Sequence, residues 1–331
     1  MKFKLYLTNL FFLIPLLLVA QNIKIKHGPY LQAMGEEEVT VVWTTNKRAI
    51  SWVEVAADGT DSFYGEERTP FYDTKHGSRV VDSVHTVRIK GLKPGTTYRY
   101  RIFSKEMLGY EGHRIMYGNI ASTDVYRNKP FSFTTLDKNK PETTFKVVND
   151  VHNKSDMLND MMKDVDRSNT DFVIFNGDMV SMVTDENVLF EGFMNSAVKQ
   201  FAKEVPIFYA RGNHETRGAF SHRFMDYFPT NSGKLYYSFK QGPVFFVVLD
   251  GGEDKPDTDI EYSELSQFDP YRSEQKEWLA KVVDTPEYKE AAYRVIIIHV
   301  PPLGSTWHGT RDIERKFMPI LNKADVDIMF C

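Results

Sequence analysis

Short apolar runs in the second half of the chain break off, one after another, into residues suited to holding a metal ion. Phe145–Val148 leads into Asn149-Asp150-Val151-His152, Phe172–Phe175 into Asn176-Gly177-Asp178, and Val205–Tyr209 into Arg211-Gly212-Asn213-His214-Glu215. Val244–Leu249 is followed by Asp250-Gly251-Gly252, and Val295–Ile298 by His299. In open α/β sheets functional groups gather beyond the carboxyl ends of strands, because loops converge there on a rigid frame. Asp250 reads as a turn residue. The other four strand ends offer Asp, Asn and His, the oxygen and nitrogen donors of borderline transition metals. A single strand-terminal Asp is ordinarily a turn or cap residue; the repetition after successive strands is what points to a site.

Between these runs lie segments with helical spacing, such as 155–167 and 273–283, and a sixth apolar run, Val326–Phe330, closes the chain. Strand runs alternating with helix-length segments predict an α/β domain over residues 143–331, with mixed sheets flanked by helices. Residues 24–136 follow another pattern. Short β-type runs, Glu38–Trp43, Ile50–Ala56, Val84–Ile89, Tyr98–Phe103 and Phe131–Thr134, are separated by turn signals, the spacing of an antiparallel β-sandwich. Pro94-Gly95 precedes a strand opening on Tyr98, whose hydroxyl is expected to bond nearby backbone at a corner, and Trp43 is the expected core aromatic. Residues 137–142 are polar, contain a proline and lack apolar periodicity, so they read as the linker.

Aromatic residues make up 14% of the chain, which favours filled cores with much β-structure. The formal net charge is −4 with both signs interspersed, so no basic stripe exists to track a nucleic-acid backbone. Residues 1–20 combine Lys2 and Lys4 with an apolar run from Leu10 to Ala20, then Gln21-Asn22, the layout of a cleavable signal peptide. The apolar run contains Pro15 and falls short of the roughly 20 residues that span a bilayer, which argues against a permanent membrane anchor. No cysteine follows it to carry a lipid; the sole cysteine is Cys331. The product is expected to be secreted or periplasmic, held together without disulfides.

The series Asp150-x-His152, Gly177-Asp178, Gly212-Asn213-His214-Glu215 and His299 resembles the calcineurin-like metallophosphoesterase superfamily. The opening Gly28-Pro29-Tyr30-Leu31-Gln32 resembles the fibronectin type III-like domain that precedes secreted, purple acid phosphatase-like members. The resemblance implies a two-metal site between packed mixed sheets. Asp150 and His152 would hold the first ion and Asn213 and His299 the second, with Asp178 bridging both and His214 protonating the leaving group. The implied cofactors are two divalent or trivalent transition-metal ions, Mn, Zn or Fe. A bridging carboxylate offsets the repulsion of two cations about 3.5 to 4 Å apart, and such a pair lowers the pKa of a shared water to give a hydroxide nucleophile. The implied reaction is hydrolysis of a small phosphate ester.

Two departures stand out. The family's closing Gly-His-x-His is absent, so the phosphoesterase domain is expected to be incomplete at its C-terminus and the natural chain to continue past Cys331 with that motif. Purple acid phosphatases place a tyrosine at the position of Ser181 and lack a histidine at the position of His152, so a colourless site is expected. Other members place there an aspartate that orients the histidine corresponding to His214, leaving its orientation here to another group. His308, in the loop 304–309, reads either as a substrate contact or as a solvated histidine. Arg211 and Arg217 read either as phosphate clamps or as surface ion pairs. Glu215 reads as a structural hydrogen-bond acceptor. The rival to an enzyme is a non-catalytic binding or scaffold protein, and nothing in the residues specifies an oligomeric state.

Overall fold

The computed structural model describes residues 21–331; the signal-peptide reading of residues 1–20 lies outside the described residues. The first part of the chain is all-β. Its strands are β1 (Ile25–Gln32), β2 (Glu38–Ala57), β3 (Pro70–Tyr72), β4 (Thr74–Lys75), β5 (Ser78–Arg79), β6 (Asp82–Lys90), β7 (Thr97–Glu111), β8 (Arg114–Ser122) and β9 (Phe131–Thr134). The two runs expected at 38–43 and 50–56 are one long strand. The first half of β2 pairs with β1 and β6 and its second half with β7 and β3, with a register shift between Thr44 and Ala49. Trp43 is fully buried. The Tyr98 hydroxyl accepts the Lys93 backbone N–H at 2.9 Å, the corner expected from the Pro-Gly turn. Strand β8 escaped the sequence reading because many of its side chains are exposed and Gly118 and Asn119 interrupt its pattern.

The second part alternates strands and helices: β10 (Phe145–Val148), β11 (Phe172–Asn176), β12 (Ile207–Ala210), β13 (Tyr237–Gln241), β14 (Val244–Val248), β15 (Tyr293–Ile297) and β16 (Ile328–Phe330). The order β13-β14-β15-β16 forms a four-stranded mixed sheet, antiparallel only between β13 and β14. Strands β10, β11 and β12 lie side by side in parallel. They do not form a separate sheet. β12 continues onto β1 through the parallel pair Gln32↔Ile207, so one ten-stranded sheet runs from the α/β half into the all-β half. Tyr100 Oη donates to the Lys203 carbonyl at 2.7 Å, and Tyr30 Oη to the Tyr227 carbonyl at 2.8 Å, across the same junction.

Strand alternation explains the layering, because successive side chains point to opposite faces. Val173 and Phe175 of β11 pack with Leu158, Met162 and Phe193 from outer helices. Phe172 and Ile174 face the other way, onto Phe246, Val248 and Ile297 of the four-stranded sheet. The far face of that sheet, Phe245 and Val247, is covered by Leu279 of the helix Phe268–Val282 and by Ile313 and Phe317 of the helix His308–Leu321. Two sheets thus enclose a shared core with helices outside. No helix among the described residues is long and apolar enough to cross a membrane.

Candidate metal centre

Because β10, β11 and β12 are parallel neighbours, their carboxyl ends emerge side by side, within roughly 5 Å of one another per strand. The loops leaving them are stitched together by backbone: Asp150 N donates to Gly177 O at 3.1 Å, His152 N to Asp178 O at 3.0 Å, and Asn153 N to Met179 O at 3.0 Å. Asp150, His152, Asn153 and Asp178 all adopt left-handed backbone, with φ of 55°, 47°, 65° and 53°. Each such residue costs on the order of 1–2 kcal/mol, and a cluster of them persists only where the surroundings over-determine it.

Two glycines allow the loops to approach. Gly177 has φ +79°, and a Cβ there would lie 2.6 Å from both Gly212 Cα and His299 Cγ. A Cβ on Gly212 would collide with Asp178 Oδ1 and the Asp178 backbone nitrogen.

Asp178, 4% exposed, is the centre of the arrangement. Its Oδ1 accepts the His214 backbone N–H at 3.0 Å. Its Oδ2 lies 3.2 Å from His299 Nε2 and 3.8 Å from Nε2 of both His152 and His214. Two donor triads share it: Asp150, Asp178 and His299, and His152, Asp178 and His214, each within 4.8 Å. The sequence reading pairs Asp150 with His152; in the structure Asp150 Oδ1 is 3.6 Å from His152 Nε2, so His152 borders both triads. Asn213, 9% exposed, stands between Gly212 and His214 at the same strand end.

Burial penalises the charged carboxylate of Asp178, but the His299 hydrogen bond and nearby imidazoles hold its pKa below the usual value. Burial likewise opposes a charged His299, yet the Asp178 hydrogen bond and charge, with the Asn176 carbonyl, raise it to about 9. The donor set is one that a cation would complete: imidazole Nε2 atoms converge on one carboxylate oxygen, and a metal would displace the proton that His299 holds there. Each ring is set by its other nitrogen. His299 Nδ1 lies 2.8 Å from the Asn176 carbonyl and His214 Nδ1 2.7 Å from the Ser181 carbonyl. Backbone carbonyls in these places hold the ring plane and turn Nε2 inward.

Residues 143–331 match the calcineurin-like phosphoesterase family. The chain belongs to that family. Residues 28–135 match the purple acid phosphatase N-terminal domain. Purple acid phosphatase 15 of Arabidopsis thaliana is 27% identical over 272 residues, covering 75% of this chain. The chain spans about half the length of that curated relative, 47%. Among solved structures, the sixth fibronectin type III domain of human fibronectin type III domain containing protein 3 is 16% identical, with TM-score 0.19, covering 36% of this chain and 91% of that domain. The third fibronectin III domain of human KIAA0343 protein is 11% identical, with TM-score 0.21, covering 36% and 86%.

Around the centre of this member of the calcineurin-like phosphoesterase family, Glu215 is fully buried and its carboxylate accepts from Asp178 N at 2.9 Å, Met179 N at 2.7 Å, Gly212 N at 3.0 Å and Tyr209 Oη at 3.0 Å. It therefore ties the β11 loop to the β12 loop, and burial raises its pKa. The orienting group for His214 is the main chain of Ser181, which no side-chain pattern could reveal.

Arg217 is not a loose surface cation. Its Nε and Nη2 bind the two oxygens of buried Glu253 at 2.8 and 2.9 Å, leaving Nη1 3.4 Å from His214 Nε2. Sequence reasoning missed Glu253; its only signal was its place just past the strand-end Asp250-Gly251-Gly252. Asp250 makes the expected turn and in addition holds Arg211. Asp250 is fully buried: Oδ1 closes a turn onto Gly252 N at 2.9 Å, while Oδ2 lies 2.8 Å from Arg211 Nη2. In place of a surface pair, Arg211 is partly buried and reaches a fully buried carboxylate.

His308 is the first residue of the helix His308–Leu321 rather than part of a loop. Its Nε2 lies 2.8 Å from Asp269 Oδ1, and it belongs to neither donor triad.

Proposed function

We propose that the protein is an exported phosphoesterase that hydrolyses small phosphate esters at the edge where β10, β11, β12 and β15 end. The observation that carries this reading is Asp178, one buried carboxylate shared by two triads of metal-type donors. Asp150, His152, Asp178, Asn213 and His299 are the residues that would hold a pair of Mn, Zn or Fe ions. Such a pair, when bound, supplies Lewis-acid charge for the phosphoryl oxygens and brings the pKa of water into the neutral range.

The chain's own groups do the rest. His214, its Nδ1–H donated to the Ser181 carbonyl, has Nε2 left to take up a second proton and, as the imidazolium, to give it to the departing ester oxygen. Arg217, its plane set by Glu253, offers Nη1 to a phosphoryl oxygen beside it. Asp150, His152 and Asp178, held in left-handed backbone by interloop hydrogen bonds, are preorganised and need no rearrangement at the moment of reaction. His308 pairs through Nε2 with Asp269 and would have Nδ1 to offer a substrate. Residues 24–136 and 143–331 are read as two domains joined at 137–142, where Asp137 N bonds Gln241 Oε1 at 2.8 Å. Export rests on the layout of residues 1–20.

Elemental analysis together with hydrolysis of p-nitrophenyl phosphate tests the reading. Bound transition metal, turnover abolished by a chelator and restored by Mn or Zn, and loss of both metal and turnover in Asp178→Asn are expected. Metal-free protein with no turnover after reconstitution favours a binding protein instead.

A further inference from the structure

At the same carboxyl edge a cleft of about 390 Å³ lies between the loop after β12, the segment 233–236 and the helix Phe268–Val282. Phe268, Tyr271, Tyr236, Leu235 and Leu265 form its walls, with Arg211 among them. Leu265 is 89% exposed. The charges around the cleft are matched. Arg211 lies against buried Asp250, which also accepts the Tyr271 hydroxyl at 3.0 Å, and Lys234 pairs with Glu274. The Arg211 guanidinium sits 5.8 Å from the Phe268 ring centroid, adding a cation beside an aromatic surface.

Chain connectivity and packing tie the cleft to the metal centre along two flanks. Arg211 is two residues before Asn213, so their Cα atoms are at most about 7.6 Å apart. On the other flank, His214 Nε2 faces Arg217, Arg217 is held by Glu253, and Glu253 follows Gly252. Phe268 packs so closely on Gly252 that a Cβ there would overlap the ring.

We propose that this cleft receives the leaving group of the ester and selects a neutral, planar aromatic group of one or two rings; the leaving-group role rests on the phosphoesterase reading above. A planar ring gains contact with Phe268 and the tyrosines while shedding water from apolar walls. A polyol loses its hydrogen bonds with water against the same walls. A second anionic group meets cations that already have carboxylate partners, Arg211 with Asp250 and Lys234 with Glu274.

The test has two arms on the full chain. In the first, 1-naphthol is titrated without added metal and followed by its fluorescence. Saturable binding is expected, competed by phenol but not by glycerol, and weakened about fivefold or more in Leu265→Ser and Phe268→Ala. Leu265 is so exposed that its substitution leaves folding intact should Phe268→Ala misfold. In the second, with Mn or Zn added, kcat/KM for 1-naphthyl phosphate should exceed that for glycerol 2-phosphate by about tenfold or more, and the ratio should fall about fivefold in both variants. Equal kcat/KM for the two esters, or naphthol binding unmoved by either substitution, overturns the leaving-group cleft alone. Saturable naphthol binding without hydrolysis of either ester overturns the phosphoesterase reading, and the leaving-group role with it.

Discussion

The carboxylate of Glu215, fully buried, lies 2.9 Å from the backbone nitrogen of Asp178. The same carboxylate also takes the Gly212 N–H, so the position of Asp178 depends on a residue that itself offers nothing to a metal.

Glu215→Ala should leave several buried donors without an acceptor, each costing about 1–3 kcal/mol. A loss of roughly 3 kcal/mol or more in urea-unfolding free energy at pH 7 is expected, with metal content falling in parallel. Glu215→Gln, which keeps one acceptor oxygen, should fall between wild type and Glu215→Ala.

The ring of His214 is held by a main-chain oxygen. Ser181→Ala keeps that carbonyl and removes only a long 3.4 Å contact from Ser181 Oγ to His152 Nδ1, so kcat should stay within about twofold of wild type. His214→Ala should lower kcat for an alkyl phosphate by about 10²–10⁴, and by much less for p-nitrophenyl phosphate, whose leaving group departs without a proton. Equal losses with both esters would remove His214 from the role of acid.

Gly177→Ala and Gly112→Ala share a positive φ but differ in surroundings. A Cβ at 177 meets Gly212 and His299, whereas at 112 nothing lies within 4 Å. Gly112→Ala should cost only about 1–2 kcal/mol of backbone strain. Gly177→Ala should also abolish metal binding, measured by calorimetric titration with Mn or Zn.

In the all-β half, burial raises the carboxyl of Asp73 to about 6, against a hydrogen bond from the Thr86 N–H, and lowers His85 to about 4. The unfolded values are about 3.9 and 6.5. Folded Asp73 keeps its proton longer than unfolded, so its contribution to stability falls as pH rises from about 4 to 6. Folded His85 refuses the proton that the unfolded chain accepts, so its contribution is lost as pH falls from about 6.5 to 4. The two slopes oppose each other. Asp73→Asn should remove the first, giving a protein roughly 2–3 kcal/mol more stable above pH 6 and a steeper loss of stability on acidification. Denaturant melts from pH 4 to 8 measure both slopes; parallel curves for variant and wild type would contradict the assignment.

Much of this protein was legible from local patterns. Strand and helix periodicity follow from backbone geometry over a few residues, so β9, β10 and β11 fall where their apolar runs indicate, and Trp43 and Tyr98 occupy their expected places. Asp150, His152, Asp178, Asn213, His214 and His299 stand out as candidate donors because each follows an apolar strand run, and the parallel strands β10, β11 and β12 release their loops at one edge. Their grouping could not be foreseen. Which imidazole faces Asp178 Oδ2 depends on the stacking of two sheets, on the Asn176 and Ser181 carbonyls and on the space left by Gly177 and Gly212. Nor could the pairing of Gln32 with Ile207, the hold of Glu253 on Arg217, or the burial of Asp250 with Arg211 be read in advance. These are contacts between distant segments. A backbone carbonyl has the same chemistry in every residue, and a carboxylate's partner is chosen by where the chain has folded, so only the tertiary structure decides them.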